Sequence, residues 1–121
     1  MIYIYLDDLR PCPKHFVLAR NAEECILMLK ECEVGILSLD YDLGRDAPTG
    51  LDVARFIAAE RRYPPVIFLH TSSLSGRQRM YETLYQNKPE HVRIYNHAMP
   101  HDWMVQAASG QFAVEMPGNS G

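Results

Sequence analysis

Four aspartates stand in two close pairs, Asp7 with Asp8 and Asp40 with Asp42, and each pair follows an apolar run, Ile2–Leu6 or Ile36–Leu39. A short apolar run bounded by polar residues reads as a buried strand of a parallel sheet. Open α/β sheets bind ligands outside the carboxyl ends of their strands, so both pairs fall where a site is expected. Carboxylates gathered in one cleft repel one another and at neutral pH favour a bound cation or raised pKa values. An all-oxygen donor set suits Mg²⁺, or another divalent cation, which typically takes one or two carboxylates together with waters and a phosphate oxygen. Asp7, Asp8, Asp40 and Asp42 are therefore the candidate metal ligands. Strand length favours Asp40 as the inner ligand of the second pair, whereas the eight-residue interval to Gly50 favours Asp42, and both are kept.

A third apolar run, Val66–Leu69, ends in His70, with Thr71, Ser72 and Ser73 behind it. Imidazole is the side chain whose unperturbed pKa suits proton transfer near neutrality. Ser72 could hydrogen-bond an anion. Gly76 and Arg77, near a helix start, offer free backbone amides and a guanidinium to the same anion. Arg10, on the first loop, is a further clamp. Each has a plainer role available: Asp8 as a turn cap before Pro11, His70 as a satisfied loop residue, Arg77 as a solvated helix charge.

These residues need a scaffold that brings three strand ends together. Met1–Leu6 is β-branched and aromatic enough for a first strand. Asp7–Lys14 carries Pro11 and Pro13, which exclude a regular helix there. Phe16–Ala19 follows as an edge strand. Asn21 and Glu24 have the spacing of a capping box, and Ala22, Cys25, Ile26 and Leu29 mark the buried face of a first helix. Gly35–Leu39 is strand three, and Leu51, Ala54, Ile57 and Ala58 mark a second helix. Val66–Leu69 is strand four, Arg77–Gln86 a third helix, Val92–Tyr95 strand five and Asp102–Ala108 a last short helix. Alternating strands and helices predict a parallel sheet covered on both faces, with right-handed crossovers. The expected architecture is a flavodoxin-like, three-layer α/β sandwich with five parallel strands in the order 2-1-3-4-5, its first helix reduced to a proline-containing loop. Residues 1–110 form the domain, and 111–121 a flexible tail.

The totals set bounds. The chain has 121 residues, enough for one core, and 47% hydrophobic with 22% charged residues is ordinary globular composition. A net charge of −3 gives no electrostatic case for broad nucleic-acid binding. No run approaches a membrane span and the N-terminus lacks signal-peptide character. Three cysteines, two of them on one predicted helix, suggest neither a disulfide framework nor a zinc site, so a reduced, cytoplasmic setting is expected.

With the acidic pair after strand one, an aspartate after strand three and Thr71 or Ser72 after strand four, the chain resembles the receiver domains of two-component signalling. It departs from them in the missing first helix and in Tyr95-Asn96-His97, where those receivers carry a lysine after strand five; Lys88 lies before that strand. The narrower likeness is to the receiver-derived family described as cyclic-phosphate-processing receivers. It rests on YLDDLRP, the helix start at Asn21–Glu24, SLDYDLG followed by Thr49-Gly50-Leu51-Asp52-Val53, and His70-Thr71-Ser72 followed by Gly76-Arg77-Gln78-Arg79-Met80. The likeness spans roughly residues 2–80.

That resemblance implies metal-dependent binding and hydrolysis of a cyclic phosphate on a nucleotide or RNA end, a Mg²⁺-dependent cyclic phosphodiesterase. His70 would act as acid/base and Asp40 as its catalytic partner. Arg10, Ser72, Gly76 and Arg77 would hold the substrate. The same residues also serve a second reading, a binder that sequesters a cyclic nucleotide signal without turning it over. A phospho-accepting receiver is the third. The substrate's base and ring size stay open, as does the oligomeric state, for which exposed tyrosines offer a homodimer face.

Overall fold

The apolar runs ahead of the acidic pairs form the middle of a parallel sheet. The computed structural model describes residues 1–109, so the tail expected over 111–121 lies outside the described residues. Strands β1 (Ile2–Leu6), β2 (Val17–Ala19), β3 (Val34–Leu39), β4 (Val66–Leu69) and β5 (Arg93–Tyr95) pair in the order β2-β1-β3-β4-β5, every neighbour parallel. The order is the expected one. Between β1 and β2 the chain runs without a helix through Pro11 and Pro13, whose rings cannot serve a helix interior.

Helices α1 (Ala22–Glu31), α2 (Gly50–Glu60) and α3 (Leu74–Tyr85) connect the strands, and α4 (His101–Ser109) follows β5. Asn21 caps α1, its Oδ1 accepting from the Glu24 amide at 2.8 Å; Glu24 Oε1 answers by accepting from the amide of Arg20 at 2.9 Å rather than from that of Asn21. Thr49 and Asp52 form a complete capping box on α2. The third helix begins three residues before the expected Arg77. Ser73 is its cap, with Oγ accepting from the Gly76 amide at 3.1 Å, so Leu74, Ser75 and Gly76 form its first turn.

Side chains alternate across the strands with period two, and each face has its own core. Ile4, Leu6, Leu37, Leu39, Ile67 and Leu69 point to one face and pack with Cys25, Leu29, Val53, Ile57, Met80 and Leu84 from α1, α2 and α3. Tyr5, Ile36, Val66 and Phe68 point to the other, covered by Phe16, Met99, Cys12 and Trp103 from the proline-containing loop and the segment around α4. The layers are therefore unequal, three helices against one helix and a loop. No helix among the described residues is long and apolar enough to cross a membrane.

Candidate functional site at the carboxyl ends of β1, β3 and β4

Strand register puts the chemistry in one place. Leu6 is level with Leu39, and Leu39 with Leu69, so the next residues, Asp7, Asp40 and His70, emerge side by side. The ladder carries on one bond beyond the strands, from the Asp40 amide to the Leu6 carbonyl and from the His70 amide to the Leu39 carbonyl, each 3.0 Å. By period two, Asp7, Asp40 and His70 share the face of Tyr5, Ser38 and Phe68.

Asp7 is the most engaged group, only 1% exposed. Its Oδ1 accepts from the amides of Leu9 and Arg10, both at 2.9 Å; its Oδ2 accepts from Arg10 Nη1 and meets His70 Nε2, each at 2.9 Å. Burial pushes this carboxyl's pKa up. The two backbone donors, the guanidinium and the imidazole together outweigh that and hold it at about 2. Arg10 Nη1 also reaches Asp40 Oδ2 at 3.3 Å, so one guanidinium nitrogen bridges both carboxylates. Asp40 Oδ1 accepts from the Tyr41 amide at 2.8 Å.

His70 lies beneath Asp7, not at the surface. Its side chain is 4% exposed and its ring stacks on Tyr5, with centroids 4.5 Å apart and planes within 2°. Burial lowers its pKa more than Asp7 and Asp40 raise it, so the ring is neutral at pH 7. An ionised Asp7 can only accept, which puts the ring proton on Nε2; Nδ1 then accepts from the Ser38 hydroxyl at 2.6 Å. Both ring nitrogens are committed, and neither faces the cleft.

Above this layer opens a cleft of about 670 Å³ over Arg10 and Asp40, edged by Asp8, Asp42, Arg45 and Ser72. Asp8 is half-buried there, with no hydrogen bond or ion pair among the described residues. Asp42 is exposed and caps its own turn, Oδ1 accepting from the Gly44 amide at 3.1 Å. Of the two expected inner ligands it is thus Asp40 that stands beside Asp7.

Gly76 and Arg77 do not edge the cleft. The Gly76 amide is already spent on Ser73, and its bare Cα faces the Tyr41 ring, where a Cβ would fall 2.3 Å from Cγ. The Arg77 amide bonds within the helix to the Ser73 carbonyl at 2.9 Å, so the expected free amides are absent here because α3 starts earlier than its apolar pattern suggests. Lys88 lies over the Tyr85 ring, 5.5 Å from its centroid, and outside the cleft.

Two participants escaped the sequence reading. Ser38 is a lone polar residue inside an apolar strand, and its position two before Asp40, hence on the same face, was the available signal. Arg45 stands in a loop with no periodic pattern to point at it.

Comparison with known proteins agrees with the fold. The family model for the cyclic-phosphate processing receiver domain matches residues 2–86. Among solved structures the chain is similar to the receiver domain of the Francisella response regulator 1452, at 9% identity and TM-score 0.56, covering 93% of this chain and 98% of that one. It is also similar to the receiver domain of NtrC4 from Aquifex aeolicus, at 15% identity and TM-score 0.57, covering 93% and 99%. A third is the signal receiver domain of a modulated diguanylate cyclase from Desulfovibrio desulfuricans G20, at 17% identity and TM-score 0.53, covering 93% and 97%. Likeness at such identities establishes the fold alone. No curated protein matches the chain in sequence. The matched residues run from β1 through α3 and include Asp7, Arg10, Ser38, Asp40 and His70; the chain belongs to the family of cyclic-phosphate processing receiver domains.

Proposed function

We propose that the cleft binds a cyclic phosphate on a nucleotide or RNA end together with a divalent cation, and hydrolyses it. One observation carries this reading: the register sets Asp7 and Asp40 side by side under an open cleft, where one guanidinium bridges them. Asp7, Asp40 and His70 each offer an atom within 4.8 Å of the others. The His70 atom is an N–H already given to Asp7, so the donors that fit an ion are carboxylate oxygens, a hard set suited to Mg²⁺. Asp7 and Asp40 would hold the ion, with Asp8 at the edge of the same cleft. Bound there, Mg²⁺ supplies polarisation of a phosphoryl oxygen and acidification of a water. Arg45 and Ser72 line the cleft edge and would supply a guanidinium and a hydroxyl to the phosphate.

The position of His70 favours a second reading, binding without turnover. A departing alkoxide needs a proton, and His70 Nε2–H is already donated to Asp7 Oδ2 with the ring enclosed. His70 donates to a substrate only after leaving that bond.

Purified protein with Mg²⁺ would be incubated with 2′,3′-cyclic and 3′,5′-cyclic nucleotides and with cyclic-phosphate RNA ends. Turnover of one of them, lost in Asp40→Ala, supports the hydrolytic reading. Calorimetric binding with no turnover selects the second. Failure to bind any of them removes both.

A further inference from the structure

We infer that Arg10 is a specificity-determining residue: its guanidinium and a divalent cation exclude each other at Asp7 and Asp40, so that the site takes the cation together with a phosphate anion rather than alone. The inference rests on the cation-and-phosphate reading of the cleft and adds to it the order of assembly.

Arg10 Nη1 lies 2.9 Å from Asp7 Oδ2 and 3.3 Å from Asp40 Oδ2, the pair of oxygens a bridging ion needs. An ion of magnesium's size binds oxygen at about 2.0–2.1 Å, so one that reached both atoms would press cation against cation at Nη1. Arginine stays protonated throughout the working range and cannot yield by losing its charge. It must move.

The loop allows that movement. The Arg10 side chain is 42% exposed, against 1% for Asp7 and 8% for Asp40, so the guanidinium is the partner with open space beside it, while the carboxylates are enclosed. Its backbone amide is tied separately to Asp7 Oδ1 at 2.9 Å, which keeps the loop in place when the side chain swings out. The space it enters is the cleft that it edges. A guanidinium released from two carboxylates has a natural partner in a phosphate, whose oxygens it can hold in bidentate fashion. Phosphate in the cleft draws Arg10 off the aspartates, and the cation takes its place; by linkage the cation favours phosphate to the same degree.

Calorimetric titration of Mg²⁺ into the full chain tests this, with and without saturating inorganic phosphate, in the wild type, Arg10→Ala and Arg10→Lys. Expected for Arg10→Ala is Mg²⁺ affinity raised about tenfold in the absence of phosphate, within the usual range of coupling between sites. Phosphate should tighten Mg²⁺ binding in the wild type and much less in Arg10→Ala. Arg10→Lys, which keeps a cation beside the aspartates, should stay close to the wild type. Mg²⁺ affinity in Arg10→Ala equal to or weaker than that of the wild type overturns the inference, as does the absence of Mg²⁺ binding from all three. Equal Mg²⁺ affinities alongside intact turnover of a cyclic phosphate would strike this inference alone. The expected affinity pattern without turnover would strike only the hydrolytic reading.

Discussion

At the level of single residues, His70 is enclosed rather than open to the cleft. An exposed histidine after a strand would be a general acid; this one is a clamp that holds an ionised Asp7 from below, with Asp7 fixing which nitrogen carries the proton and the Ser38 hydroxyl donating to the other. Ser38→Ala removes the only donor to Nδ1 among the described residues and leaves a buried acceptor unsatisfied. It should cost about 1–3 kcal/mol of stability by denaturant titration, and should move the His70 Nδ1 resonance in ¹⁵N spectra while Nε2 stays protonated. Unchanged stability and an unmoved Nδ1 signal would show that the serine does not support the ring. Asp7, Asp40 and His70 were legible because each ends an apolar run. Ser38 offered only its parity with Asp40, and its bond to His70 could not be read until the neighbouring strand was placed in register. Arg10 was legible as a clamp near the site, but its bridge between Asp7 and Asp40 was not: that depends on a turn geometry which two prolines exclude from being helical without otherwise specifying.

At the level of elements, two helix starts hold the segment Asp40–Tyr41 in place. The Gly50 amide donates to the Tyr41 carbonyl at 2.9 Å, and a Cβ on Gly50 would fall 1.9 Å from the Asp40 carbonyl oxygen. That neighbour is backbone and cannot step aside. Gly50→Ala should therefore cost roughly 2–4 kcal/mol, at or above the usual range for overpacking, and should weaken Mg²⁺ binding because Asp40 is displaced. Gly76 opens the second close approach, against the Tyr41 ring. Gly76→Ala should cost about 1–3 kcal/mol alone and clearly less in a Tyr41→Ala background, a coupling that a double-mutant cycle on urea midpoints measures. Additive effects would mean the ring and the helix start do not meet. The apolar spacing of Leu51, Ala54, Ile57 and Ala58 made the second helix visible in the sequence, whereas its capping box of Thr49 and Asp52 emerged only with the structure. The start of α3 was obscured because Thr71, Ser72, Ser73 and Ser75 are all capping residues, and only packing against Tyr41 selects Ser73.

Across the whole molecule, the strand order was legible because five apolar runs alternating with helical patterns leave few right-handed arrangements, whereas the uneven covering of the two faces depended on long-range packing. The site then ties the stability of the entire fold to pH. Asp7 ionises at about 2 in the folded chain against an ordinary 3.8, so below pH 3.8 the unfolded chain binds the extra proton first. The stability it contributes is complete above that value and is lost as pH falls toward 2, a difference of about 2 kcal/mol. His70 adds a second window of the same sign. Its pKa is lowered by burial from 6.5, so the folded ring refuses a proton that the unfolded ring accepts, and stability declines as pH drops below 6.5. Unfolding free energy from urea titrations should thus decline from neutrality in two stages. Asp7→Asn should remove the lower stage, and His70→Phe, which keeps a flat ring against Tyr5, the upper one. A profile flat from pH 7 to 3 in the wild type would mean that neither group differs between the folded and unfolded chains, and that the buried clamp beneath the cleft does not hold the charge state its contacts imply.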